Sequence, residues 1–137
     1  MNLIDLHCDT VSKVFTSNQQ EGLGSNNYAV DLNKLQAANS IAQFFALYVD
    51  LQEQVTAGAN PLEYCLQLLD FFHQQVQTHQ QLELARNFEE LQANQEANKI
   101  SALLTIEEGG VLQGKLANLR NFYRLGVRLI TLTWNYP

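Results

Sequence analysis

Ile100-Ser101-Ala102-Leu103-Leu104-Thr105-Ile106-Glu107 is the stretch whose reading decides the fold. It is short, mostly apolar and ends on a carboxylate, as a strand covered by other elements does. Helical patterns flank it. Asn87 is a good cap for a helix running to about Asn98, with Phe88, Leu91 and Gln95 facing inward. Lys115 to Leu125 carries Leu116, Leu119, Phe122 and Tyr123 at helical spacing. Gly126 ends that helix, as a glycine free to take positive φ commonly does. Strands separated by helices pair in parallel through crossover connections, so the class is α/β.

The same alternation extends in both directions. Val127 to Trp134 (VRLITLTW) reads as the strand that follows, and Ile41 to Asp50 (IAQFFALYVD) as one that precedes. Asn60-Pro61 starts a helix reaching about His79, with Leu62, Cys65, Leu69, Phe72 and Val76 as its apolar stripe. Asp31 caps a short helix to about Asn39, after a loop over residues 17–30. Leu3 to Asp9 alternates, with Ile4, Leu6 and Cys8 on one face and Asp5, His7 and Asp9 on the other. The expected order is β, α, β, αα, β, α, β, without a sequence repeat beyond it. Four parallel strands suit either a small doubly wound domain or half of an eight-stranded barrel, and periodicity leaves both open.

Composition narrows the function. At 137 residues with 46% hydrophobic side chains, the chain can bury a real core and is not disordered. Fourteen acidic against 8 basic residues offer no basic patch for nucleic acid. Asn and Gln make up about a fifth of the sequence and are expected on solvated helix faces. Cys8 and Cys65 cannot build a disulfide framework and read as buried, reduced thiols. Cys8 lies on the apolar parity of its strand, so a nucleophilic role does not suit it. The sequence shows neither a signal-peptide pattern nor an apolar run of the roughly 20 residues that span a bilayer. A soluble, cytoplasmic protein without a membrane anchor is expected.

The polar face of the first strand carries the chemistry. His7 and Asp9, two residues apart, project the same way, and imidazole with carboxylate suits a divalent ion such as zinc. On the strand ending at Glu107, Leu104 and Ile106 take the apolar side, leaving Thr105 and Glu107 on the face equivalent to that of His7 and Asp9. The C-terminal ends of parallel strands are where α/β folds place their sites. Glu108, on the opposite parity, reads as an exposed residue of the turn before Gly109-Gly110. His73 and His79 read as solvated histidines of a glutamine-rich helix, on faces that cannot ligate jointly. Trp134 ends the last strand, equally suited to lining a pocket or to packing. The glycines at Gly22, Gly24, Gly109 and Gly110 lack the pattern of a phosphate-binding loop.

Four segments in order bear a family likeness: Leu3-Ile4-Asp5-Leu6-His7-Cys8-Asp9-Thr10, Ala42-Gln43-Phe44-Phe45-Ala46, Thr105-Ile106-Glu107-Glu108-Gly109-Gly110, and Leu125 through Asn135. Together they resemble the membrane (renal) dipeptidase family of zinc peptidases, in its soluble microbial branch, over essentially the whole chain. The resemblance implies the N-terminal half, about four βα units, of a TIM-like (β/α)8 barrel. On this reading residues 1–137 form one partial metallo-dependent hydrolase domain, truncated after the fourth strand. It also implies a binuclear Zn2+ site that hydrolyses dipeptides by two-metal catalysis. His7 and Asp9 take the place of first-metal ligands, and the catalytic glutamate that bridges both metals falls on Glu107 or Glu108. Ungapped register and strand parity favour Glu107.

Two departures stand out. Animal members carry a substrate-contacting histidine where this sequence has Trp134, the substrate-binding candidate. Family members also run well beyond this length, so the second-site histidines and the downstream Arg and Asp have no counterpart in these residues. The segment alone is therefore expected to be inactive, and its unpaired first and last strands invite self-association. A deacetylase- or deaminase-type barrel hydrolase is the alternative enzyme, although such enzymes typically open with His-x-His. A non-catalytic acidic α/β remnant is the alternative without chemistry.

Overall fold

The computed structural model describes residues 2–17 and 22–134, so part of the expected 17–30 loop lies outside the described residues. Five parallel strands form one sheet: β1 (Leu3–Asp5), β2 (Ser40–Tyr48), β3 (Leu82–Leu84), β4 (Ile100–Glu107) and β5 (Val127–Thr131). Six helices connect them: α1 (Thr10–Thr16), α2 (Leu32–Ala37), α3 (Leu51–Thr56), α4 (Pro61–Thr78), α5 (Phe88–Glu96) and α6 (Leu116–Arg124). β2 pairs with β1 on one side and β4 on the other. The far edge of β4 is shared: β3 takes its first residues and β5 its last. The α/β class with parallel pairing is as expected, but there are five strands rather than four. Glu107 therefore ends the fourth strand in chain order. The three residues of β3 are too few to show a period, which is why the run between α4 and α5 read as two successive helices.

β2 and β4 carry the core on their helix-covered face. Phe45 lies beside Leu104 and Leu47 beside Ile106 in the parallel register, all four buried. Val11 and Val14 of α1 and Cys65, Leu68 and Phe72 of α4 complete this cluster. The α4 stripe is as expected at Cys65, Leu69 and Phe72, and wider through Leu68 and Phe71. α1 escaped the periodic reading because Thr10, Val11, Val14 and Thr16 are β-branched and weak helix formers. Burial of Thr10, Val11, Ser12 and Val14 against β2 holds it instead. Six-residue α3 buries none of its residues, so it left no apolar period to read.

Several expectations give way. β1 ends at Asp5 rather than Asp9, and of its supposed apolar face only Cys8 is buried, while Ile4 and Leu6 are exposed. β1 is an edge strand, and the described residues offer those side chains no cover. β5 stops at Thr131, so Trp134 lies beyond the strand, in a bend. α5 turns Asn94 inward, with Phe88 and Gln95 exposed, because the Asn94 amide reaches the Ser101 hydroxyl at 3.2 Å. Gln43 and Asn94 are thus buried amides, against the expectation that amides lie on solvated faces. Others act as caps: Asn60 and Asn87 accept from Leu62 N and Glu90 N. Asn39 and Asn98, at φ 54° and 55°, turn the chain from α2 into β2 and from α5 into β4. Gly126, at φ 111°, ends α6 as expected.

Asp31 fixes the approach to β2. Its carboxylate caps α2 through Lys34 N at 2.8 Å, accepts from Asn26 N, and meets Lys34 Nζ at 2.7 Å. Burial by itself would raise its pKa, but these hydrogen bonds and the lysine charge outweigh burial and hold it below the usual carboxylate range. A depressed folded-state pKa contributes stability above the unfolded-state value and loses it as pH falls through the folded-state value. Asp31→Ala is therefore expected to cost about 1–2 kcal/mol at pH 7. The gap to wild type, measured by urea unfolding, should close as the pH is lowered below about 4.

Candidate metal centre

β2 and β4 run in register to their C-terminal ends, where Tyr48 lies beside Glu107 on the face opposite the helices. Next to them the chain leaves β1 and turns into α1. His7 and Asp9 occupy this turn, and two backbone bonds pin it to β2: Cys8 N to Phe44 O at 3.0 Å and Ala46 N to Cys8 O at 2.9 Å. Cys8 is thereby drawn into the core, and its neighbours project on the open side. Asp9 holds the N-cap position of α1 yet makes no side-chain cap. Its Oδ1 lies instead 3.1 Å from His7 Nε2, which is also 3.1 Å from Glu107 Oε2.

One imidazole nitrogen and two carboxylates thus converge, with ligand-type atoms all within 4.8 Å of one another. Glu107, the glutamate that strand parity favours, is the one whose carboxylate joins this cluster. Burial raises the Glu107 pKa first; His7 pulls it down, and the charge and hydrogen bond of Asp9 push it up again, so it stays raised. Two carboxylates crowding one half-exposed histidine carry excess negative charge that a divalent cation would offset. Oxygen and imidazole donors suit zinc or another borderline first-row ion. The residues present therefore fit a metal.

Glu108 does something else. It is 3% exposed rather than at the surface, because its carboxylate is turned inward onto backbone N–H groups. Oε1 accepts from Gly110 N at 2.8 Å and Oε2 from Trp134 N at 3.3 Å. Trp134 packs edge-on against Tyr48, with ring centroids 5.0 Å apart. The two rings wall a cavity of about 490 Å3 whose lining includes Asp9, Lys13, Glu53, Tyr64 and Glu107. Trp134 thus both packs and lines a pocket.

His73 and His79 take no part in this cluster, and they are half-buried rather than solvated. His73 Nε2 lies 3.1 Å from Leu125 O and His79 Nδ1 lies 2.7 Å from Gln75 O. Tyr48 and the remaining cavity residues carry no motif of their own. One signal could have found Tyr48: Gln36, Ala38, Asn39 and Ile41 recur in the same spacing as Gln95, Ala97, Asn98 and Ile100. That repeat, which the reading of the sequence missed, sets β2 on β4 and Tyr48 opposite Glu107.

The membrane dipeptidase family model (peptidase family M19) matches residues 1–137, the whole chain. The chain belongs to this family. Mouse dipeptidase 3 is 29% identical over 137 residues, which cover 96% of this chain and 27% of that protein. Human dipeptidase 3 is 34% identical over 93 residues, 68% of this chain and 18% of that protein. Among solved structures, an M19 dipeptidase described as a metallo peptidase superposes with a TM-score of 0.83 at 15% identity, over 100% of this chain and 45% of its own. A Rhodobacter sphaeroides metallo peptidase, liganded with a phosphinate mimic of the dipeptide L-Ala-D-Ala, gives 0.82 at 16% identity, over 98% of this chain and 46% of its own. The sheet and helices are thus the fold of one portion of a TIM-like dipeptidase barrel, which resolves the choice that periodicity left open. The chain spans about a quarter of the mouse relative and under half of these solved chains.

Both cysteines are buried and unpaired, as expected. Burial pushes the Cys8 thiol up to about 11 and the Cys65 thiol up to about 12, so neither forms appreciable thiolate at pH 8. In the folded chain both should react with an aromatic disulfide reagent more than about a hundredfold slower than in denaturant, where a thiol pKa near 8.5 returns. Absorbance of the released thiolate measures this directly.

Proposed function

We propose that this chain supplies part of the active centre of a zinc-dependent dipeptidase, with residues 1–137 as one partial barrel domain. The observation that carries the reading is the convergence of His7, Asp9 and Glu107 at the C-terminal ends of β1 and β4, in a chain of the M19 family. His7 and Asp9 would hold one Zn2+, and Glu107 would bridge it to a second. When bound, such ions supply Lewis acidity toward a peptide carbonyl and toward water. The chain's own part is preorganisation. The β2–β4 ladder holds Glu107, and the pinned turn at Cys8 holds His7 and Asp9, so the donors face one another before any ligand arrives. Tyr48 and Trp134 offer an aromatic wall beside them for a dipeptide side chain.

The dipeptide named for the Rhodobacter sphaeroides structure supports this substrate class. His-x-Asp, rather than His-x-His, argues against a deacetylase- or deaminase-type reading. Among the described residues no helix is long and apolar enough to cross a membrane. The unpaired, buried thiols favour a reducing compartment, and we place the protein in the cytoplasm on that ground.

Isothermal titration with zinc tests the site. Wild type should bind, while Asp9→Ala and Glu107→Gln should each weaken binding by about tenfold or more, at least about 1.4 kcal/mol. Equal affinity in all three would end the metal-site reading. A second expectation comes from the outer sides of β1 and β5. Leu3, Ile4 and Leu6 at one and Leu129 with Leu119 and Tyr123 at the other leave apolar side chains exposed. Sedimentation velocity on residues 1–137 should show mass rising with concentration, and a monomer throughout would count against association at these edges.

A further inference from the structure

Glu108 is buried beside the cluster without belonging to it, and the metal reading leaves it unexplained. Among the described residues, the hydrogen-bond partners of its carboxylate are two backbone N–H groups, one in the adjoining turn, where Glu108 is the cap, and one from a segment distant in sequence. Gly110 opens the turn after β4, and Trp134 follows β5. A second contact joins the same two segments. A Cβ on Gly109 would stand 2.8 Å from Leu132 O and 3.2 Å from Leu132 Cα, so the backbone at Leu132 rests directly on a glycine. The described chain beyond Thr131 has left the sheet, so ladder bonds no longer locate it. Its described contacts with the turn after β4 are the Trp134 N–H bond to Glu108 and the approach of Leu132 to Gly109. Their product is a defined place for the Trp134 ring, edge-on to Tyr48 and on the rim of the cavity that Asp9 and Glu107 also line.

We propose that Glu108 is a positioning residue: its buried carboxylate clasps the amides of Gly110 and Trp134 and thereby sets the aromatic wall of the cavity beside Glu107. The adjacent glutamates then divide the work, one side chain facing the cavity and the other tying down the residue that borders it. Gly109 and Gly110 follow from the same need. A Cβ on Gly110 would meet Glu108 Oε1 at 2.5 Å and also the end of the Leu51 side chain, so a side chain there would push the Glu108 carboxylate from its place. That the wall faces a substrate rests on the dipeptidase reading; that Glu108 sets it does not.

Trp134 is the sole tryptophan of the chain, so its fluorescence reports this position alone. Glu108→Gln keeps the shape but replaces one acceptor oxygen with a donor, and Glu108→Asp keeps the charge but shortens the arm. In both, tryptophan emission should move to longer wavelength and acrylamide should quench it more steeply, with the far-ultraviolet circular dichroism of a folded chain. Asp31→Ala, which loosens the fold elsewhere, should leave the emission where it is. Hydrogen exchange on the wild type needs no variant: the Trp134 amide should be protected relative to an unstructured peptide. Zinc affinity should survive Glu108→Gln far better than Glu107→Gln. Unchanged emission in the folded variants, a Trp134 amide exchanging at the unstructured rate, or zinc loss equal to that of Glu107→Gln would each overturn the proposal. Failure of the wild type to bind zinc would sink the metal reading and leave the fluorescence and exchange results to decide this one.

Discussion

The parallel ladder from Ala42–Tyr48 to Ser101–Glu107 is the constraint on which the rest of the structure depends. Parallel register gives neighbouring residues the same face, so one alignment does two jobs. It stacks Phe45 on Leu104 and Leu47 on Ile106 toward α1 and α4, and it brings Tyr48 beside Glu107 on the other face. A slip of one residue would send Glu107 into the apolar layer and Ile106 into the cavity. Core and site are therefore locked to one another. The turns at Asn39 and Asn98, both at positive φ, start the two strands at matching levels, so the register is already set where each helix ends.

From that ladder the site is assembled by pieces that give up ordinary structural roles. Asp9 stands where a helix cap is expected and does not cap; its carboxylate faces His7 instead. Cys8 between them turns into the core, where burial leaves it a protonated, unreactive thiol and anchors the turn. Glu107 keeps a raised pKa in a crowded, partly buried place. The unmade cap at Asp9 and the crowded carboxylate of Glu107 cost local stability, while the buried Cys8 and the layer between sheet and helices offset it. The three groups are held together because Glu107 ends a central strand and the turn carrying His7 and Asp9 is bonded to β2 through Cys8.

The sequence disclosed much of this because the deciding signals are local. Alternation over ISALLTIE separated Leu104 and Ile106 from Glu107, and the same parity gave His7 and Asp9 a common side. Capping chemistry announced α2, α4 and α5 through Asp31, Asn60 and Asn87. Where the reading failed, the cause lay at a distance. α1 is helical because β2 buries its β-branched residues, β3 is a strand because β4 offers an edge, and Asn94 is inside because Ser101 waits for it.

Glu107 and Glu108 mark the boundary between the two kinds of information. By itself the sequence determined a parallel α/β fold and singled out residues of apt chemistry, because period and residue type are properties of short segments. It could not determine the use of Glu108, whose partners are the amides of Gly110 and Trp134. Only the tertiary structure brought the segment after β5 onto the turn after β4. It thereby made a buried clasp of a residue that local pattern reads as an exposed turn. A carboxylate takes its role from the donors around it, and those donors are assembled by folding.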